Sequence, residues 1–292
     1  LVQFGGILNK KIVLFTAEFP FGQQETFLEN ELKYLSESFG AVTIVPLFKH
    51  HKLRDVSYSN VSVFTPVNNT RSVTIHKFVL FLSMTFWKTL AIGLFEYHFH
   101  PKSYLKAFKQ AFIISRLKKY LKKRPEVYDN DLWYFYWGTN SINVLPFLKK
   151  TPKIVARYHR YDLYGQDIDG GEIQLFQKKS LNKVNKAIFI SQHGREYLRS
   201  RHNEFDHKFE VSRLGVPFRG ISTFSQDKVL RIVTCSNFYK VKRVDLLARA
   251  LLAIDDISIE WTHIGGGVPE VRNQTLEIVK HFKANIKFKD IG

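Results

Sequence analysis

The 292-residue sequence holds one cysteine, Cys235, and one methionine, Met84, and its 26 acidic residues are outnumbered by 44 lysines and arginines. A single thiol excludes an intramolecular disulfide and a cysteine-rich metal site, and points to a reducing compartment. Cys235 falls in a strand pattern, where burial as a small hydrophobe is expected. No apolar run reaches the roughly 18 residues that would span a bilayer. The nearest, 78–95, is interrupted by Lys88. Residues 1–10 lack the shape of a signal peptide, since their apolar run is short and no cleavage pattern follows. There is no initiator methionine, so the start reads as arbitrary. The sequence has no G-x-S-x-G, no H-E-x-x-H and no Walker lysine loop.

What is present is a basic, apolar-rich chain: net charge +18 and 45% hydrophobic residues. That charge favours anionic partners, whether nucleic acid, acidic lipid headgroups or phosphorylated small molecules. The apolar content suffices for one large or two ordinary domains. Residues 11–15 read as a buried parallel strand, followed by a loop around Gly22 and an amphipathic helix over 26–39. Further strands are expected at 42–47, 61–67, 132–137, 154–157, 187–190 and 209–212, with helical character over 72–124 and a helix opening at Gly138 and running through 148. Strands alternating with helices predict an α/β fold with parallel sheets. The polar, glycine-bearing stretch over 217–228 reads as a linker, between a first domain of residues 1–216 and a second of 229–292. In the second, strands at 231–235 and 257–263 are expected, the last followed by Gly265, Gly266 and Gly267. The chain stops at Gly292, just after the strand-like 286–288, so this domain is read as incomplete.

Ligands in open α/β sheets bind beyond the carboxyl ends of the strands, and three features fall there. Gly22 follows the first strand, where a glycine lets backbone approach a ligand and the next helix start favours anions; an ordinary turn needs nothing more. His159 and Asp162, with Arg157 and Arg160, form a charged cluster past another strand, where an imidazole can bond a sugar hydroxyl or share a proton. Lys240, Lys242 and Arg243 sit at a strand-to-helix turn, with the glycine triplet at the next strand end; together they suit a phosphate. Asp129 with Asp131 and Asp167 with Asp169 match a D-x-D pattern that is common in turns, and no metal site is expected from them.

Four stretches in order resemble family 4 glycosyltransferases of the GT-B fold, especially those of bacterial capsule and exopolysaccharide assembly. They are Phe19-Pro20-Phe21-Gly22 with Glu25-Thr26-Phe27; the run from Arg157 to Tyr164; Ile190-Ser191-Gln192 leading to Arg213-Leu214-Gly215; and Cys235-Ser236-Asn237 with Lys242-Arg243, then Gly265-Gly266-Gly267. The resemblance implies two Rossmann-like domains facing across a cleft, a nucleotide-sugar donor on the second and an acceptor on the first, and retention of anomeric configuration without a metal or other cofactor. It implies catalytic roles for His159 and Asp162 and donor contacts from Gly22, Lys242, Arg243, Gly265, Gly266 and Gly267. On the acceptor side it places Glu25, Arg157 and Gly138. The acceptor would be a glycan or a polyprenyl-linked glycan, and the setting the cytoplasm or the inner face of the plasma membrane. Asn237 stands where many relatives carry an arginine, and the family's Glu-x7-Glu segment is absent, which predicts little or no transferase activity for this chain alone.

Residues 103–124 form an amphipathic basic pattern, with Phe108, Phe112, Leu117 and Leu121 against many lysines, able to lie on an anionic membrane or to pack on the sheet with a solvated basic face. A nucleic-acid-binding protein is the main non-enzyme alternative raised by the charge, but the basic residues are spread rather than striped. A sugar- or nucleotide-binding module without catalysis is another.

Overall fold

The computed structural model describes residues 9–22, 25–49, 53–68, 83–96, 101–166, 173–221 and 226–292. Asp167 and Asp169, and the expected helical residues 72–82, lie outside them. The chain divides into two compact units, Leu1–Pro217 and Phe218–Gly292.

The first unit is built on a seven-stranded sheet in which every pairing is parallel. Its strands are β1 (Lys11–Thr16), β2 (Ala41–Pro46), β3 (Val61–Val63), β4 (Leu132–Phe135), β5 (Lys153–Tyr158), β6 (Lys186–Phe189) and β7 (Phe209–Val211), in the order β3-β2-β1-β4-β5-β6-β7. The continuous apolar runs of β1 and β5 are buried on both faces, as a parallel sheet covered by helices requires. Residues alternate between two cores. Val13, Phe15, Trp133, Phe135, Ile154 and Phe189 face one side. Helix α3 (Pro101–Lys122) covers that side through Ala107, Ile114, Leu117 and Leu121, joined by residues of α5 (Gln177–Lys183) and α6 (Gln192–Arg201). Ile12, Leu14, Tyr134, Val155 and Ile188 face the other side, against Leu28 and Leu32 of α1 (Phe27–Ser38). Phe15 stacks on Phe135 at 4.4 Å and meets Trp133 edge-on at 5.3 Å. Helix α2 (Met84–Glu96) pairs with α3, and α4 is the single turn Arg160–Leu163 after β5.

The strand order reverses between β1 and β4, so the crevice beyond their carboxyl ends is the topological switch point, where open α/β sheets bind ligands. The helix expected from Gly138 is instead a 3-10 segment, Asn140–Phe147. Pro146 inside it offers no N–H, and Asn140 at φ 57° breaks a regular start.

The second unit has three parallel strands, β8 (Val229–Cys235), β9 (Ser258–Ile264) and β10 (Ile286–Ile291), in the order β10-β9-β8. Helices α7 (Val244–Leu252) and α8 (Pro269–Val279) pack Val244, Ala248, Leu251 and Val271 on Ile259, Trp261 and Ile286. One correction falls here. Cys235 is exposed, not buried, because β8 is an edge strand and Cys235 alternates with the inward-facing Ile232 and Thr234.

Two outcomes are expected. Phe15→Ala should lower unfolding free energy by about 3–5 kcal/mol through cavity formation, measured by denaturant titration. Cys235 should react with a thiol reagent without denaturant, and Cys235→Ser should change stability by less than about 0.5 kcal/mol.

Candidate functional site

Glu25 organises the loop after β1. It is 6% exposed, and its backbone adopts φ 57°, a left-handed conformation that costs a non-glycine residue about 1–2 kcal/mol. Its carboxylate offsets that cost by collecting four N–H donors. Oε1 accepts from Ala17 N at 3.0 Å and Trp137 Nε1 at 2.5 Å; Oε2 accepts from Glu18 N and Phe19 N, both at 2.7 Å. A carboxylate has about four lone-pair sites, and all are taken. Glu25 is therefore a clamp that ties the β1 loop to the end of β4. Gly22, in the same loop, has φ 77°, the conformation that glycine adopts freely.

Asp162 does the same at β5. It is fully buried, and its Oδ1 accepts from His159 N at 2.5 Å while Oδ2 accepts from Gly138 N at 2.6 Å. It thus fastens the β4 loop to the β5 loop. Gly138 must be glycine for packing, since a Cβ there would lie 2.3 Å from the Tyr158 ring. Burial first, then the Asp162 charge, pushes the Tyr158 phenol far above its ordinary range, so it stays protonated.

His159 lies between these clamps. It is 7% exposed and ringed by Trp137 at 4.5 Å, Tyr136 at 5.1 Å and Phe27 at 6.0 Å. Neither ring nitrogen has a hydrogen-bond partner among the described residues; Nδ1 is 3.7 Å from Asp162 Oδ2, beyond bonding reach. A buried polar group without a partner costs about 1–3 kcal/mol, and it is found here at the switch-point end of the sheet. A cavity of about 130 Å³ opens beside it, lined by His159, Arg160, Tyr164 and Ser191 among others. Tyr164 Oη and His193 Nδ1 are 2.6 Å apart at the α6 start.

Arg157 occupies the opposite face from Tyr158. Its Nε donates to Tyr134 Oη at 2.7 Å, and its other nitrogens reach Glu31 Oε1 at 3.2 Å and Ser212 O at 3.3 Å. Burial opposes its charge, but Tyr134 and Glu31 outweigh that and hold the guanidinium above its usual range. It lines a second cavity of about 430 Å³, floored by Ile12, Leu132, Val155 and Ile188 beside α1. This larger cavity lies mostly along the sheet face, with residues 212–217 at one side, and Arg157 in it is paired with Glu31. The smaller one, beside unpartnered His159, is the better candidate for chemistry.

In the second unit, the loops after β8 and β9 are zipped together. Ser236 N donates to Ile264 O at 3.0 Å, Phe238 N to Gly266 O at 2.7 Å and Val268 N to Phe238 O at 3.1 Å. Gly265 (φ 134°) and Gly267 (φ 138°) are required there: an added Cβ would lie 2.4 Å from Ser236 O and 2.5 Å from Phe238 N. Gly266 has nothing within 4 Å. The 3-10 segment Lys240–Lys242 leads to Arg243, at φ 51°, which starts α7 with no side-chain cap. Lys240, Lys242 and Arg243 are exposed and form no ion pair with any described residue; Asp245 is the one acid in the first turn of α7. The structure brings together His159, Asp162, Gly138 and Glu25 in the first unit, and Lys242 and Arg243 with each other in the second. Arg157 stands apart from the first group. The sequence reading missed Trp137, which bonds Glu25 and faces His159; its place at the end of an aromatic strand was the available signal.

Gly265→Ala and Gly267→Ala should each destabilise the second unit by more than about 1 kcal/mol, whereas Gly266→Ala should fall within about 0.5 kcal/mol, by thermal or denaturant unfolding. Glu25→Ala should cost about 3–5 kcal/mol, because four buried N–H groups lose their acceptor.

No family model matches the sequence, and no curated protein matches it. Solved structures do. The apo form of the lipopolysaccharide outer core galactosyltransferase WaaB matches with TM-score 0.59 at 12% identity, over 97% of this chain and 68% of that one. A trehalose-6-phosphate synthase, studied for glycosyl transfer with retention through bisubstrate glycomimetics, matches with TM-score 0.56 at 11% identity, over 97% and 73%. A trehalose-6-phosphate structure from E. coli bound with UDP-2-fluoro glucose matches with TM-score 0.58 at 11% identity, over 97% and 74%. At such identity the likeness shows the fold: α/β, of the GT-B class, with parallel sheets in both units.

Proposed function

We propose that the chain serves glycosyl transfer, moving a hexosyl-type sugar from a nucleotide-sugar donor to a glycan or lipid-linked acceptor in polysaccharide assembly, with retention of configuration as in family 4 enzymes. The observation that carries this reading is the basic turn of the second unit. Three cations without ion pairs among the described residues precede a nine-residue helix, beside a loop whose glycines let backbone come close. A diphosphate is the ligand such a site suits, because the helix start and the fixed cations both favour dense negative charge.

The chemistry follows from charge. As the bond from the anomeric carbon to the diphosphate oxygen breaks, negative charge collects on the leaving group and the sugar becomes oxocarbenium-like. Lys242 and Arg243 stabilise the first; stabilising developing charge with groups already in place is the largest single means of lowering such a barrier. This makes a metal unnecessary to the reading. In retention by front-side attack, the acceptor hydroxyl approaches from the face the diphosphate leaves, and the departing phosphate oxygen takes its proton. His159 is the group assigned to the transferred sugar: its unpartnered nitrogens can exchange a hydrogen bond with a hydroxyl, and Trp137, Tyr136 and Phe27 shield it from water. Asp162 acts through it, by fixing its backbone. The structures described with UDP-2-fluoro glucose and with retention are consistent with this donor class.

Calorimetric titration with a panel of nucleoside diphosphates and their hexose conjugates tests the proposal. Lys242→Ala should weaken binding of both about tenfold, the loss of one charge-assisted contact. His159→Ala should weaken only the sugar conjugates. Unchanged affinities in Lys242→Ala, or no binding by the wild type at millimolar ligand, would sink it.

A further inference from the structure

We infer that the larger cavity of the first unit binds an aliphatic monocarboxylate, with its tail along the sheet and its carboxylate on Arg157. The cavity holds about 430 Å³, within the ordinary range for small-ligand sites. Its lining residues, the last of them Pro217, all belong to the first unit. The topology explains why it is there. The buried residues of Asn140–Phe147, α5 and α6 pack into the core on the opposite face of the sheet. Among the described residues, α1 is the one helix that adds buried side chains to the core on this face. The face of β4, β5 and β6 beyond α1 is therefore left as a slot.

The slot suits a hydrocarbon. Its floor is Ile12, Leu132, Val155 and Ile188, one residue from each of four adjacent strands. Leu35 and Phe39 stand along one side, and Leu214 and Pro217 along the other. Ile12, Val155 and Ile188 are only 1%, 8% and 6% exposed. A floor so closed fits a flexible chain rather than a helix, whose cylinder is about 10–12 Å across. An aliphatic tail laid there would take its own surface and that of the slot out of water together.

Charge selects the head group. Arg157 is 7% exposed. Three of its five N–H groups donate, to Tyr134 Oη, Ser212 O and Glu31 Oε1, and the remaining two have no acceptor among the described residues. Glu31 Oε1 also accepts from Tyr134 Oη at 2.7 Å. Replacing a buried ion pair with apolar groups is often neutral or stabilising, so stability alone does not account for this pair beside an apolar slot. The charged lining residues are Glu31, Arg157 and Arg213, one negative against two positive. Arg213 is exposed and forms no ion pair with any described residue. A single carboxylate balances that excess, and its two oxygens match the planar fork of a guanidinium. A cationic head would be repelled, and an uncharged one would leave the excess unbalanced. The inference does not rest on the transfer proposal: carboxylate binding here without diphosphate binding in the second unit would keep one and remove the other.

The test is calorimetric titration of the full chain with dodecanoate, dodecanol, dodecyltrimethylammonium and butyrate, each below the concentration at which it forms micelles. Dodecanoate should bind at a single site per chain. Dodecanol should bind at least about tenfold more weakly, the loss of one charge-assisted contact. The ammonium, with the wrong charge, and butyrate, with too little tail, should give no saturable heat. The pair Arg157→Met with Glu31→Gln removes both charges at similar volume, so neither is left buried alone; it should bind dodecanoate no better than dodecanol. Gly215 lines the cavity, and an added Cβ there meets nothing within 4 Å. Gly215→Trp should therefore keep the wild-type thermal unfolding and weaken dodecanoate and dodecanol together. No binding of dodecanoate, equal affinity for dodecanoate and dodecanol, or binding that both variants leave intact would overturn the inference. So would a dimer in sedimentation that Gly215→Trp dissociates, because the slot would then belong to a second copy of the chain.

Discussion

Buried backbone N–H groups at the ends of parallel strands must find acceptors, and in the first unit two carboxylates supply them. Glu25 gathers three amides of the β1 loop and the indole of Trp137; Asp162 bridges the amides of Gly138 and His159. The loops after β1, β4 and β5 are thereby fixed to one another at the point where strand order reverses. A charged carboxylate accepting from N–H is worth roughly twice a neutral bond, which lets Glu25 hold a left-handed backbone and lets His159 stay buried with neither ring nitrogen bonded to a described residue. The site is a consequence of those clamps: move either carboxylate and the aromatic enclosure of His159 loses its frame.

The second unit reaches a comparable end by different means. There the loops are held by backbone-to-backbone bonds between the β8 and β9 ends, which only glycine at 265 and 267 permits. The side chains at the helix start are exposed cations that form no ion pair with any described residue, with Asp245 as the one acid in that turn. A rigid backbone floor with free positive charge above it is what a strongly anionic ligand requires, and it needs little ordering when the ligand arrives.

Much of the fold was legible in the sequence because parallel strands buried on both faces read as unbroken apolar runs, as at 12–15 and 154–156. The positions of Gly22, His159 and the basic turn followed from the rule that ligands sit past the strand ends. What could not be read were contacts across long separations. Trp137 meets Glu25 from 112 positions away, and Gly138 and Asp162 are 24 apart; no local pattern announces that an acid near the loop will spend itself on backbone. Cys235 shows a second limit. Alternation tells which residues share a face of a strand, but not which face a helix will cover. Pro146 shows a third, having turned an expected α-helix into a 3-10 segment.

The most direct measurement is a backbone amide map of the isotope-labelled chain titrated with a nucleoside diphosphate. The largest shift changes should fall on Lys242, Arg243, Val244 and Gly265 to Gly267, and should saturate with a single affinity. Changes centred on the cavity beside Arg157 and α1, with the 240–243 turn and the glycine loop unmoved, would contradict the assignment of the diphosphate to the second unit.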